Sequence, residues 1–193
     1  MRARQLPARS IPTLWLMTDE RMGAALWPAL ARLPPGSGVV FRHKRTPAAE
    51  RRALYDRVRR IARVRRLVLL LAGSTRQAIG WQADGVHGAA TGRLPRGRLR
   101  TLPAHDRIEL IAARRARADA AFLSPVFATR SHPGAPALGP LRFGLLARGA
   151  SIPVIALGGI TSARARRVVG LGAAGWAAID GLARDQKRKA VPI

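Results

Sequence analysis

At 193 residues the chain is long enough for one domain with a sizeable core, and somewhat short for an eight-stranded β/α barrel. It is 48% hydrophobic with no cysteine, which argues against disorder and excludes disulfides, zinc–thiolate sites and thiol catalysis; no apolar run approaches a membrane span. The formal charge of +25 raises nucleic acid as a partner, but Lys44, Lys187 and Lys189 are the only lysines, there is one Tyr, and no RNA-binding signature accompanies the arginines. Specific nucleic-acid binding is therefore not expected.

Residues 1–12 form a basic arm whose following apolar run, Ile11 to Met17, is interrupted by Pro12 and Thr13. A secretory signal would be cleaner and would end in a small-residue cleavage site, so a cytoplasmic location is expected. From residue 13 to 183, apolar strand-like runs alternate with Ala/Arg/Leu helical patterns, which predicts parallel βα units. Leu14–Thr18 reads as a first strand, Met22–Leu33 as a helix stopped by Pro34-Pro35-Gly36, and Val39–Phe41 as a second strand ending in Arg42-His43-Lys44. A helix from Pro47 to about Val64 shows an apolar side of Leu54, Val58 and Ile61; its arginines, Arg51 included, are spread along it and not clustered with aromatics. Leu67–Leu71, a short helix around Thr75 to Trp81, and a strand within Asp84–His87 follow. Gly88 to Gly97 is broken by glycines and Pro95 and reads as a loop.

The second half repeats the alternation: strand Leu99–Leu102, helix Asp106–Arg117, strand Ala121–Leu123, helix Leu138–Arg148, strand Val154–Leu157, a helix capped by Ser162, and strand Trp176–Ile179. Eight strands with short intervening helices fit a single (β/α)8 barrel, with a doubly wound open sheet as the alternative. A basic tail, 184–193, closes the chain. His43, His87, His105 and His132 all fall just after strands, positions that converge on one rim of such a barrel.

Two stretches have the makings of a phosphate site. Ala121–Gly139 leaves a strand at Ser124-Pro125 and offers Thr129, Arg130, Ser131 and His132 within four positions, the mixture of hydroxyl, guanidinium and imidazole that an anion needs. Pro153–Ile160 is a strand ending in Gly158-Gly159, where the backbone can approach a ligand and the next helix can point its first amides at it.

Those stretches resemble the thiamine phosphate synthase family, which includes the TenI-like thiazole tautomerases. SPVFATRSH (Ser124 to His132) and IPVIALGGI (Ile152 to Ile160) are similar to the family's two signature segments in order and spacing, and the likeness extends from Leu14 to Leu182. The resemblance implies a (β/α)8 barrel that joins hydroxymethylpyrimidine diphosphate to thiazole phosphate and releases diphosphate, with Mg²⁺ if synthase activity is retained. It implies further that Arg42 and Lys44 face the pyrimidine diphosphate, and that His105 stands in a Ser-x-His segment whose Ser is here Pro103. Ser124, Thr129, Ser131, His132, Gly158 and Gly159 would bind phosphate. For Arg42 and Lys44 the plain alternative is two surface cations, for the glycines a purely structural need, and for His87 a packed or solvated ring.

The departures bear on chemistry. Where the family carries an Asn-Asp pair at the end of strand 3 this chain has Leu71-Ala72-Gly73, and where it carries an Asp five residues after the strand 4 His this chain has Gly92. Asp180 replaces a phosphate-facing Ser, and Ser124-Pro125 stand where tautomerase activity would want a His immediately after strand 6. Asp19 and Asp180 could build a substitute metal site. Three readings stay open: a synthase, a metal-independent tautomerase-like enzyme using His105 or His132 as general acid/base, and a non-catalytic module binding phosphate or a thiamine precursor. An assembly of identical copies is compatible with all three.

Overall fold

Every one of eight short apolar runs pairs in parallel with the next, and the last returns to the first, closing a barrel in the order β1-β2-β3-β4-β5-β6-β7-β8. The structure is a computed structural model that describes residues 10–129 and 136–179. The strands are β1 Leu14–Met17, β2 Gly38–Phe41, β3 Val68–Ala72, β4 Gly85–His87, β5 Leu99–Ala104, β6 Ala120–Leu123, β7 Val154–Ala156 and β8 Gly175–Ala178. Around them lie a short 3-10 helix, Glu20–Ala25, and the helices α1 Leu26–Arg32, α2 Ala48–Val64, α3 Thr75–Gly80, α4 Arg107–Arg115, α5 Gly139–Arg148 and α6 Ser162–Gly170. The fold is a (β/α)8 barrel, and the open-sheet alternative is overturned by the β1–β8 pairing of Leu14 with Trp176 and Leu16 with Ala178.

Strands this short close a barrel because their side chains fill it. Trp15, Met17, Val40, Leu70, Ala72, Leu99, Ala120, Phe122, Ile155 and Ala177 form the interior cluster. Trp15 meets Phe122 edge to face at 5.3 Å and anchors its ring N–H on the Pro12 carbonyl at 2.6 Å. Gly38 is needed at the register position opposite Trp15, since any Cβ there would enter the indole ring. Two further clusters, one on each side, pack the helices against the strands' outer faces.

Three local expectations shift. The buried stripe of α2 is Arg51, Tyr55, Val58 and Ala62, one step round from the one read in the sequence, so Arg51 points inward. Arginines of that helix also meet aromatic rings: Arg57 lies 3.8 Å from the Trp27 centroid, and Arg51 and Arg52 each 5.2 Å from Trp81. At α6 the cap is Thr161, which accepts from the Arg164 amide, with Ser162 the first helical residue.

The segment 88–98 forms no helix and covers the β4–β5 flank as a loop. Arg100, on the outward face of β5, donates to the carbonyls of Ala89 (2.6 Å), Thr91 (3.2 Å) and Gly92. Arg98 does the same for Ala78 (3.3 Å) and Ala83 (2.9 Å). Where a barrel flank is ordinarily closed by apolar helix packing, guanidinium-to-carbonyl bonds close this one. Among the described residues no helix is long and apolar enough to cross a membrane.

Candidate active site

The C-terminal ends of β1 and β2 are joined through the side chains of Thr18, Asp19 and Glu20. Thr18 Oγ1 accepts from the Arg42 amide at 3.1 Å and shares a 3.0 Å hydrogen bond with His43 Nδ1. Glu20 accepts from the Arg45 amide at 2.7 Å. Asp19 receives Arg21 Nε at 2.6 Å and Arg21 Nη2 at 3.2 Å, and its second oxygen lies 3.7 Å from Arg42 Nη2. Hydrogen bonding and charge from Arg21, then the charge of Arg42, outweigh burial and hold the Asp19 carboxyl below its usual range.

His43 breaks the extended path from Arg42 to Lys44. Its φ is 36°, and its ring lies buried, stacked on Phe41 with centroids 4.7 Å apart. Arg42 and Lys44 are therefore separated by a left-handed turn and do not lie on one extended segment. At His87, the last residue of β4, burial and then the charges of Arg42 and Lys44 push the pKa down to about 3. His87 is half-buried, with Nδ1 2.9 Å from Thr101 Oγ1 and its ring edge-on to Phe122 at 5.0 Å, directly above the barrel filling.

Sequence reasoning missed the residue that steadies this corner. Arg51 is buried in α2 and donates through Nε and Nη2 to the Arg42 carbonyl at 3.2 and 3.0 Å, and through Nη2 to the Ala72 carbonyl at 2.9 Å. One guanidinium thus ties off the ends of β2 and β3, and burial lowers its pKa from the usual arginine value. The available signal was the spacing Arg51, Tyr55, Val58, Ala62, which places an arginine on the inward stripe.

The β6 and β7 loops press together at Gly158 and Gly159. Phe127 donates its amide to the Gly158 carbonyl at 3.0 Å. A Cβ on Gly158 would lie 2.7 Å from Pro125 Cα and one on Gly159 2.6 Å from the Ala128 carbonyl; both have positive φ, 94° and 62°. This contact alone requires both glycines. Ser124 is half-buried at the start of the β6 loop with its amide on the Ala104 carbonyl at 2.9 Å, and Thr129 is half-buried further along it. Arg164, in the first turn of α6, lies 4.6 Å from the Phe127 ring centroid and donates to the Gly159 carbonyl at 2.8 Å. Arg130, Ser131, His132 and Asp180 lie outside the described residues.

His105 is exposed after β5, its Nδ1 2.8 Å from Glu109 Oε2 in the first turn of α4. The three described histidines thus have three separate partners, Thr18, Thr101 and Glu109, and do not form one cluster. Nor do the described residues fit a divalent cation: no group of three His, Asp or Glu side chains converges among them. Asp19 is engaged by two arginines, and at Gly92 (φ 84°) a Cβ would lie 2.9 Å from Thr75 Cβ and Oγ1.

The family model described as thiamine monophosphate synthase matches residues 19–182. The chain belongs to this family. Thiamine-phosphate synthase of Methanoculleus marisnigri is 32% identical over 86% of this chain and 85% of its own length. That of Geobacillus thermodenitrificans is 32% identical over 78% and 73%. Thiamine phosphate pyrophosphorylase from Pyrococcus furiosus superposes with a TM-score of 0.77 at 23% identity, covering 94% of this chain and 93% of that one, and shares its barrel. A role in thiamine biosynthesis follows from membership of the thiamine monophosphate synthase family.

Proposed function

We propose that the chain is a cytoplasmic thiamine phosphate synthase that joins hydroxymethylpyrimidine diphosphate to thiazole phosphate at the C-terminal mouth of the barrel. The observation behind this reading is the corner at the ends of β1 and β2, where Arg51 and Asp19 hold Arg42 and Lys44 follows two residues on, cations suited to a diphosphate. In the transfer, the bond from the pyrimidine methylene carbon to oxygen breaks and its electron pair leaves on the diphosphate. The thiazole nitrogen lone pair then closes a carbon–nitrogen bond, so the step itself needs no base. What it needs is stabilisation of negative charge on the leaving group, the task assigned to Arg42 and Lys44. Thr129, Ser131, His132, Ser124 and the amides of Gly158 and Gly159 would hold the thiazole phosphate, with the start of α6 adding its dipole. The curated relatives named as thiamine-phosphate synthases support the same reaction.

Single-turnover product formation from the two substrates, with Mg²⁺ and with EDTA, is the direct test. Product in either condition supports the synthase. Thiazole phosphate bound with no product in both would sink it.

A second reading has its own observation. Glu109 Oε2 against His105 Nδ1 is an orienting carboxylate that leaves Nε2 as the basic atom, the arrangement a metal-independent tautomerase would use. Its signature is exchange of a substrate carbon-bound proton with solvent, lost in His105→Gln.

A further inference from the structure

A divalent cation at a diphosphate requires carboxylates that can turn toward it. At the described mouth both candidates are already committed: Asp19 to the guanidinium groups of Arg21 and Arg42, and Glu20 to the Arg45 amide. The position where the family's Asp would stand, Gly92, is closed by Thr75. Meanwhile the same corner holds the cationic side chains of Arg42, Lys44 and Arg45 beside these acids.

We propose that this chain binds the diphosphate group as a free polyanion, without a divalent cation, with Arg42 and Lys44 meeting its oxygens and Asp19 holding the Arg42 guanidinium in place. The inference rests on the synthase reading for the location of the diphosphate and goes beyond it in what neutralises that group. A guanidinium supplies paired N–H donors matched to phosphoryl oxygens, and an ammonium adds a compact charge beside them. Arg42 is restrained at both ends: Arg51 grips its carbonyl and Asp19 stands 3.7 Å from its Nη2. Pre-orientation of this kind lowers the ordering cost of binding.

The consequence has a sign. Mg²⁺ pairs with diphosphate in solution and covers its charge, so at a site built from cations alone it competes.

Calorimetric titration of the full chain with inorganic diphosphate, near neutral pH, tests this in EDTA and again with excess Mg²⁺. Binding in EDTA that weakens on adding Mg²⁺ is expected. The double variant Arg42→Met/Lys44→Met should lose about tenfold or more of the EDTA affinity, consistent with loss of charge-assisted contacts, with its circular dichroism unchanged. Asp19→Asn should bind diphosphate in EDTA more weakly than wild type, with Mg²⁺ giving it no advantage. Binding that requires Mg²⁺ would overturn the inference while leaving the synthase reading intact. No diphosphate binding in either condition would overturn both.

Discussion

The Arg51 guanidinium holds the main-chain carbonyl of Arg42 through two hydrogen bonds, of 3.2 and 3.0 Å, and reaches the Ala72 carbonyl with a third of 2.9 Å. A side chain on the buried stripe of α2 therefore sets the position of a cation at the barrel mouth. Arg51→Met keeps much of the packing volume but leaves two strand-end carbonyls without donors, which should cost on the order of 3 kcal/mol. Diphosphate affinity should fall alongside, and Arg51→Lys should recover part of the stability. Denaturant midpoints and calorimetry on the same preparations check both.

The acid side of the stability profile should be set by His87 and His43. Both have folded-state pKa values below the unfolded 6.5, His87 at about 3, with burial the leading cause in each. The unfolded chain then binds protons that the folded chain refuses, so stability is intact above 6.5 and falls as pH drops below it. For His87 the slope is up to about 1.4 kcal/mol per pH unit. Asp19, whose pKa is lowered from 3.8, contributes only where pH falls further. Urea midpoints at pH 7 and pH 5 should differ less in His87→Gln than in wild type; an equal difference would show that His87 titrates normally.

Restoring the family's carboxylate at position 92 should fail as a single change. Gly92→Asp puts a Cβ 2.9 Å from Thr75 and forces a side chain onto φ 84°. A loss of about 1–3 kcal/mol, with no gain in Mg²⁺ affinity, is expected. Thermal melts with and without Mg²⁺ are sufficient to see it.

Gly159→Ala should loosen the contact between the β6 and β7 loops. Its Cβ would lie 2.6 Å from the Ala128 carbonyl and 2.8 Å from Phe127 Cβ at a φ of 62°, so the loops must part. Stability should drop by roughly 1–3 kcal/mol, and thiazole phosphate binding should weaken more than diphosphate binding. Equal losses for the two ligands would place both on the same loops.

Much of this molecule is legible in its residues because barrel strands are short apolar runs with polar stops, and their order allows few topologies. Leu14–Met17 through Gly175–Ala178 each emerge within a residue or two of their expected bounds. Arg51 was not legible because composition treats an arginine on a helix as solvated, and only the helical spacing to Tyr55 and Val58 betrays its direction. For His43 the place just past a strand was legible, but not that its φ of 36° folds the ring back onto Phe41. Tertiary packing decided both.

The loop 88–98 has one more consequence. Its hold on the β4–β5 flank is the Arg100 side chain reaching the carbonyls of Ala89, Thr91 and Gly92, supported by the Thr75 hydroxyl on the Thr91 carbonyl at 2.7 Å. Bonds of that kind shift with ionic strength and with guanidinium in the solvent far more than buried hydrocarbon does. Amides along β5 should therefore exchange with deuterium ahead of those on β1 and β2, making this flank the hinge along which the barrel first unzips.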